Sequence, residues 1–219
     1  MRTTTKYRPL NLYFIIPFIL WMITGGILLL SVSKRTLFEM VNTHYTVFLD
    51  HLMYWLSWTA QGEFITVVLL LLMIIPRFRN LWYFITATLC NVIPLLIQQS
   101  LKSWFEWPRP MNYFRGASWI HITRDWPWLM DRSFPSGHSQ GAFSFFCFLS
   151  LLLPVKYRWV GFCFFIVAIS VCYSRLYLAA HFFADVYVGS MIGAVGTTVI
   201  FAVMLHYRSR FFKRGDILA

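Results

Sequence analysis

The chain has 219 residues, of which 58% are hydrophobic, 20% are aromatic and only 12% are charged. A soluble globular domain carries about 25% charged residues, so this composition excludes an ordinary water-soluble protein and predicts an integral membrane protein. The formal net charge of +11 would also suit a nucleic-acid-binding protein, but the placement of the charges along the chain disfavours that class.

Six apolar runs are long enough to cross a bilayer, because a membrane helix needs about 20 apolar residues. The first run is too long for the core of a signal peptide and has no small-residue cleavage site, so we expect it to be retained. No linker, repeat or low-complexity tract separates the runs, which predicts one all-α integral-membrane domain over residues 1–219, with six transmembrane helices in a bundle. The predicted spans are Leu10–Val32, a run around Trp55–Ile75, Leu81–Leu101, Ser136–Pro154, Trp159–Tyr177 and Phe183–Tyr207.

The basic residues are distributed unequally between the two sides of this six-span arrangement. With the N-terminus in the cytoplasm, the inner segments carry 11 Lys and Arg residues and one acid, whereas the outer segments carry 8 Lys and Arg residues and 7 acids. The positive-inside rule therefore predicts that both termini are cytoplasmic. The net charge then reflects orientation and anionic head groups, and we expect no nucleic-acid partner. The chain has no Asn-x-Ser/Thr glycosylation acceptor, which favours a bacterial origin.

Three polar motifs stand at the ends of these apolar runs, where ionisable side chains are costly and usually functional. They are KSWFEWPRP from Lys102 to Pro110, PSGH from Pro135 to His138, and SRLYLAAHFFAD from Ser174 to Asp185. In the six-span topology all three motifs lie on the outer side of the membrane. Residues that are far apart in the sequence are therefore predicted to converge on one patch at the membrane surface.

The PSGH motif has the composition of a helix start. Ser136 is a natural N-cap, and Gly137 leaves the backbone N–H groups open to close approach. A helix N-terminus with free N–H groups is an anion-binding site, which the helix dipole also favours. His138 in the first turn would stand over the bound anion, where an imidazole can act as an acid or a base near neutral pH.

The third motif combines a histidine, a carboxylate and an arginine. His181 and Asp185 are four residues apart, which on a helix places both on one face. A carboxylate bonded to one ring nitrogen fixes the tautomer and leaves the other nitrogen free as a nucleophile; the alternative is a buried His–Asp pair that locks two helices. Arg175 lies six residues before His181, near enough to reach the same site, and its planar guanidinium suits two phosphate oxygens at once.

Lys102 and Arg109 complete the set of cations. They would share a helix face if the helix continued, but Pro108 and Pro110 end it there, and basic residues also cap membrane helices by snorkelling. Three cations and a helix N-terminus around two histidines together supply the charge stabilisation, the in-line nucleophile and the acid that phosphoryl transfer needs. The sequence has no cluster of carboxylates or cysteines for magnesium or zinc, so we expect no metal and no other cofactor.

Written as K-x6-R-P, PSGH and S-R-x5-H-x3-D, the motifs resemble the signature of the type 2 phosphatidic acid phosphatase family, whose site is shared with the vanadium haloperoxidases. The resemblance covers Lys102 to Asp185 without a departure at any motif position. It implies that His181 attacks phosphorus to form a phosphohistidine, that Asp185 orients His181, and that His138 protonates the leaving group. It also implies a phosphate ester or diphosphate of a membrane lipid, hydrolysed on the periplasmic side of a bacterial inner membrane. The residues that would hold the phosphate are Lys102, Arg109, Ser136, Gly137 and Arg175.

The segment between the first two motifs, from Met111 to Ser133, is the part of this region that the resemblance determines least. It interleaves Trp and Tyr residues, which settle at the head-group level of a membrane, with Arg115, Arg124 and Arg132. One interpretation is an aromatic anchor with solvated charges. The other is a lid whose arginines contact a second anionic group of the lipid.

Several functions stay open at this point. The same phosphohistidine would serve a phosphotransferase that moves phosphate between lipids, and polar groups in spans also mark the ion pathways of membrane transporters. A vanadium haloperoxidase fits less well, because six apolar spans suit a lipid substrate better than a soluble halide. Undecaprenyl diphosphate, phosphatidylglycerophosphate, phosphatidate and lipid A phosphates all present the same reacting group, so the motifs do not choose among them.

Overall fold

A computed structural model describes residues 10–124 and 126–208, and within these ranges the chain forms helices and no β-strand. Both terminal segments, whose charges carry much of the orientation prediction, lie outside the described residues. The helices are α1 (Leu12–Ser31), α2 (Lys34–Asn42), α3 (Val47–Trp58), α4 (Gly62–Leu72), α5 (Leu81–Phe105), α6 (Pro110–Tyr113), α7 (Gly137–Leu152), α8 (Val160–Tyr177) and α9 (Phe183–His206).

The predicted all-α membrane architecture is confirmed, but the helices differ from six equal spans. In the described ranges, four segments are long and apolar enough to cross a membrane: α1, α8, α9 and Leu81–Tyr113, which contains α5 and α6. The pair α3–α4 adds a fifth span if the two helices are counted as one. α7 has only 16 residues, which at 1.5 Å per residue is about 24 Å. By length and composition the structure therefore supports four or five spans.

The predicted span around Trp55–Ile75 is a broken pair of helices. α3 and α4 are bent by 57° at residues 59–61. The Thr59 hydroxyl donates to the Leu56 carbonyl oxygen at the end of α3, and α4 restarts at Gly62, a residue with low helix propensity. Hydrophobicity alone did not reveal this break, because apolar residues continue on both sides of it. Residues 60–63 at the bend line a cavity together with the first residues of α7.

α7 is the helix around which the others pack. It contacts α9 and α8 most extensively, and it also packs against α5 and α4. Eleven of its residues are buried, and Phe143 makes edge-on ring contacts with Phe14 of α1 and Phe165 of α8. Since other helices surround α7, its N-terminus lies in the middle of the bundle's cross-section, at one end of the bundle.

Two glycines of α9 allow it to lie directly against the start of α7. A Cβ at Gly189 would stand 2.5 Å from the Ser136 carbonyl oxygen, and a Cβ at Gly193 would collide with the Gln140 carbonyl oxygen. Only glycine permits two helix backbones to approach this closely. The Ser136 N–H consequently reaches the Asp185 carbonyl oxygen at 3.0 Å, which joins the second motif to the third.

The first motif reaches the same end of the bundle. Gln98, one turn before Lys102 on α5, donates from Nε2 to the Pro135 carbonyl oxygen at 2.8 Å. Arg109 donates from Nη1 to the Ala180 carbonyl oxygen at 3.1 Å. These contacts show that all three motifs meet at one end of the helical bundle.

Candidate active site

An open cavity of about 590 Å³ lies at this end of the bundle, between α4, α5 and α7. Ser136 and Asp185 are both buried and do not line this cavity. Six of the predicted site residues line it: Lys102, Arg109, Gly137, His138, Arg175 and His181.

His181 lies in the turn between α8 and α9 and not on a helix. Because α8 ends at Tyr177 and α9 begins at Phe183, the prediction that His181 and Asp185 share a helical face is wrong. The N–H groups of Ala180 and His181 both donate to the Arg175 carbonyl oxygen, at 3.0 and 3.1 Å. This tight turn, and not helical periodicity, brings the imidazole back over the first turn of α9.

The His181 ring lies between a carboxylate and a guanidinium. Its Nδ1 is 3.5 Å from Asp185 Oδ2, and its Nε2 is 3.3 Å from Arg109 Nη1. The first distance exceeds that of a good hydrogen bond, and Nδ1 has no hydrogen-bond partner within the described ranges. Catalytic hydrogen bonds are often long in unliganded sites and tighten around the substrate. In this geometry Nδ1 faces the Asp185 carboxylate, and Nε2 faces the Arg109 guanidinium.

The surroundings of His181 favour its neutral form. Burial lowers the pKa of His181 well below its usual range, and the positive charges of Arg109, Arg175 and Lys102 lower it further. The residue is only 1% exposed. An imidazole with a lowered pKa is neutral at neutral pH, and the neutral form is the one that can act as a nucleophile.

Asp185 is held by two donors that the sequence did not reveal. The Ser133 Oγ donates to Asp185 Oδ2 at 2.5 Å, and the Phe182 N–H donates to the same oxygen at 2.8 Å. The position of the carboxylate in the first turn of α9 is also favoured by the helix dipole. The only sequence signal for Ser133 is its place two residues before Pro135, since its partner lies 52 positions away. Ser133 is fully buried and acts as a positioning residue.

We expect Ser133→Ala to lower kcat for phosphate release about tenfold and to leave KM within about twofold. The hydroxyl holds the carboxylate that orients the nucleophile, and a hydrogen bond to a charged group contributes about 1.5–3 kcal/mol. Steady-state kinetics measure both constants. Ser100→Ala is the matched control, because that exposed hydroxyl donates only to the Leu96 carbonyl oxygen of its own helix. A rise in KM with unchanged kcat would contradict the positioning role.

Ser136 is the N-cap of α7, as predicted. Its Oγ accepts a hydrogen bond from the Ser139 N–H at 3.3 Å. The loop before it is held to α5 through the hydrogen bond from Gln98 to Pro135. Because Gly137 and His138 line the cavity, the cavity borders a helix N-terminus, which is an anion-binding position.

The three cations are held in different ways. Arg109 donates from Nε to the Asp131 carbonyl oxygen at 2.8 Å. Arg175 is 1% exposed, donates from Nη1 to the Ser57 Oγ, and has its guanidinium 5.2 Å from the centroid of the Trp126 ring. Lys102 is partly buried near the end of α5. Fixed guanidinium groups and one flexible ammonium thus face the same space, which suits a multiply charged phosphate.

The structure does not bring the three arginines of residues 111–133 into the cavity. Arg115, Arg124 and Arg132 are exposed, and the described residues that line the cavity include none of them. Arg132 instead pairs with Glu106 at 3.7 Å. The segment reaches the cavity through Leu129. The same segment supplies the Trp126 ring beside Arg175, the Asp131 carbonyl oxygen that accepts from Arg109, and Ser133.

Comparison with known proteins agrees with this site. A family model described as the PAP2 superfamily matches residues 80–209, which include all three motifs. An undecaprenyl-diphosphatase from Sulfolobus acidocaldarius is 30% identical over 163 residues, which are 72% of this chain and 72% of that protein.

Two crystal structures share the fold. LpxE from Aquifex aeolicus is 23% identical with a TM-score of 0.63, over 81% of this chain and 98% of that one. A transmembrane PAP2-type phosphatidylglycerolphosphate phosphatase from Bacillus subtilis is 19% identical with a TM-score of 0.63, over 92% of this chain and 98% of that one. The resemblance seen in the three motifs is thereby confirmed, and the chain belongs to the PAP2 superfamily as a phosphatase of that family.

Proposed function

We propose that this protein removes phosphate from a membrane lipid phosphate or diphosphate, without a metal, through a phosphohistidine on His181. The observation that carries the proposal is the buried His181, whose Nε2 lies 3.3 Å from the Arg109 guanidinium beside a cavity that borders the N-terminus of α7. The relatives support a lipid substrate, since one is an undecaprenyl-diphosphatase and another a phosphatidylglycerolphosphate phosphatase.

In the first half of the reaction His181 Nε2 attacks phosphorus, and the bond between phosphorus and the leaving oxygen breaks. His138 gives its proton to the leaving oxygen, and Asp185 stabilises the positive charge that develops on the His181 ring. Lys102, Arg109 and Arg175, with the backbone N–H groups at Gly137, hold the phosphate oxygens and neutralise their charge. Ser136 supports this cradle as the N-cap. The product is a phosphohistidine and a dephosphorylated lipid.

In the second half, water replaces the lipid. His138, now neutral, takes a proton from the water as its oxygen attacks phosphorus, and the bond between phosphorus and His181 Nε2 breaks. Inorganic phosphate leaves, and both histidines return to their starting protonation states. An acceptor lipid in place of water would give phosphate transfer, which is the alternative reaction of the same site.

We further propose that residues 1–219 form one domain with six spans, cytoplasmic termini and a site at the periplasmic face of a bacterial inner membrane. The excess of basic residues in the inner segments supports this orientation. α7 would be the additional span. Because other helices surround it, lipid does not set its length, and 16 residues suffice. The clustering of the charged motifs at one end of the bundle disfavours a transporter, whose polar groups would follow a path through the membrane.

We expect phosphate release from a panel of lipid phosphates to stay within about twofold when EDTA is added. Lys102, Arg109 and Arg175 line the cavity, and their positive charges disfavour a divalent cation and neutralise the phosphate as a metal would otherwise do. Glu63 is the one carboxylate among the described residues that line it. The panel contains undecaprenyl diphosphate, phosphatidylglycerophosphate, phosphatidate and lipid A. Complete loss with EDTA, restored by magnesium, would contradict the metal-free mechanism. Labelled phosphate found on an added acceptor lipid, and not free, would identify a phosphotransferase.

A further inference from the structure

Arg175 is a buried cation that the surrounding protein leaves largely unpaired. The residue is 1% exposed, and no carboxylate of the described residues pairs with it. Among the described residues its guanidinium has one hydrogen-bond acceptor, the Ser57 Oγ, which accepts from Nη1, and the buried Nε has none. A buried charge with so few partners is costly unless a ligand supplies more of them. The contacts that do exist therefore determine where the guanidinium points.

The other arginine of the site is held by the backbone. Arg109 donates from Nε to the Asp131 carbonyl oxygen and from Nη1 to the Ala180 carbonyl oxygen. Backbone acceptors keep their places when the side chains around them change. The orientation of Arg109 is consequently set by the fold, whereas that of Arg175 depends on individual side chains.

The flat face of the Arg175 guanidinium lies against a ring from the segment between the first two motifs. The guanidinium carbon is 5.2 Å from the centroid of the Trp126 ring, which is within the range of a cation–π contact. Trp126 in turn meets the ring of Tyr54 on α3 edge-on, with the two centroids 5.9 Å apart. The Trp126 ring thus restricts the tilt of the guanidinium.

Both contacts of Arg175 lead back to α3. Tyr54 and Ser57 are three residues apart on this helix, so they lie on the same side of it. α3 packs on α8, the helix whose last turn carries Arg175. One side of α3 therefore fixes the edge of the guanidinium directly through Ser57, and its flat face indirectly through Trp126. None of these three contact residues belongs to the three sequence motifs.

We propose that Ser57 and Trp126 are positioning residues, which hold the Arg175 guanidinium in the orientation in which its remaining N–H groups bind the phosphate of the substrate. This inference rests on the proposed phosphatase function and adds to it a role for α3. With Nη1 bound to Ser57 and the ring against its face, the planar group can present two N–H groups to two phosphate oxygens at once. A guanidinium that turned freely would lose this match, although its charge would be unchanged.

The test is the inhibition of the full chain by inorganic phosphate, measured during hydrolysis of a lipid phosphate that the unaltered protein accepts. Inorganic phosphate reports on the cations of the cavity without a contribution from the lipid. We expect Ser57→Ala to raise the inhibition constant about tenfold, because the buried guanidinium loses its acceptor. Trp126→Leu is expected to raise it about fivefold. A partly misfolded preparation would contain fewer active molecules with the same inhibition constant, so misfolding does not imitate this result.

Two matched variants serve as controls. Ser170→Ala removes a hydroxyl of α8 that donates to the Ile166 carbonyl oxygen of the same helix. Trp128→Leu repeats the Trp126 substitution two residues further along the chain, at a residue that is 71% exposed. Both should leave the inhibition constant within about twofold of that of the unaltered protein.

A double-mutant cycle tests whether Ser57 acts through Arg175. Arg175→Lys keeps the charge but replaces the planar group by a point donor that cannot bind two oxygens side by side, so it should raise the inhibition constant by itself. In this background Ser57→Ala should change the constant by less than about twofold, because no guanidinium is left to orient.

Two results would overturn the inference and leave the phosphatase function standing. One is an equal effect of Ser57→Ala in the two backgrounds, and the other is an unchanged or lower inhibition constant in the Ser57→Ala protein. Hydrolysis of none of the lipid phosphates by the unaltered protein would overturn the proposed function and this inference together.

Discussion

Replacing His181 with alanine will lower kcat for phosphate release by about 10³-fold or more, because it removes the atom that forms the covalent intermediate. The unaltered protein, quenched during turnover of a ³²P-labelled lipid, will carry acid-labile label, and the His181→Ala protein will carry none. The buried ring between Asp185 and Arg109 is the reason to expect so large an effect from one side chain.

His44→Ala is the control for this variant. His44 is an exposed histidine outside the cavity, so both turnover and labelling should match those of the unaltered protein. Label that persists on His181→Ala but disappears from His138→Ala would show that the roles of the two cavity histidines are reversed. Full activity of His181→Ala would remove His181 from the mechanism altogether.

Replacing Lys102 with methionine will lower kcat/KM about 100-fold and will move the acid limb of the pH profile to higher pH. The loss reflects one missing positive charge on the bound phosphate. The shift arises because Lys102 is one of the charges that lower the pKa of His181. Protonation removes the nucleophile, so the unaltered protein should stay active below about pH 6.5, the usual pKa of histidine. Without Lys102 the pKa of His181 rises, and protonation begins at higher pH.

The measurement is kcat/KM against pH for the two proteins on one substrate, so that titration of the substrate phosphate cancels in the comparison. Arg132→Met serves as the control, because it removes a positive charge that is exposed and paired with Glu106. We expect it to leave the acid limb in place. An acid limb that moves to lower pH in Lys102→Met, or one that does not move, would contradict the proposed electrostatic control of His181.

Local chemical signals account for the parts of the site that could be predicted from the sequence. Ser136 was identified as an N-cap because a serine beside proline and glycine at the head of an apolar run is a local helix start, and the structure confirms it. The cations and histidines were recognised because ionisable side chains next to membrane helices are rare. Their meeting at one end of the bundle was predicted from alternating spans, and all five of them line the cavity.

Other features depend on contacts between distant segments. His181 and Asp185 meet through a turn that closes on Arg175, although their spacing also fits a helix. Ser133 contacts Asp185 across 52 positions of the sequence, at the place where two glycines of α9 let that helix pack closely on the start of α7. The residues on both sides of the bend at 59–61 are apolar, so the bend cannot be predicted from hydrophobicity. The arginines of residues 111–133 have the charge to bind a second anion, but their positions keep them exposed.

By itself, therefore, the sequence determined four things: that the protein belongs in a membrane, that it is helical, its family, and the residue types that perform the chemistry. Each of these follows from composition or from motifs of a few residues. Only the tertiary structure decided which nitrogen of His181 faces the cations and what holds Asp185. Those properties depend on distances between side chains from different helices. Such distances depend on how closely the helices pack and on where they break. Neither can be predicted from a short sequence pattern.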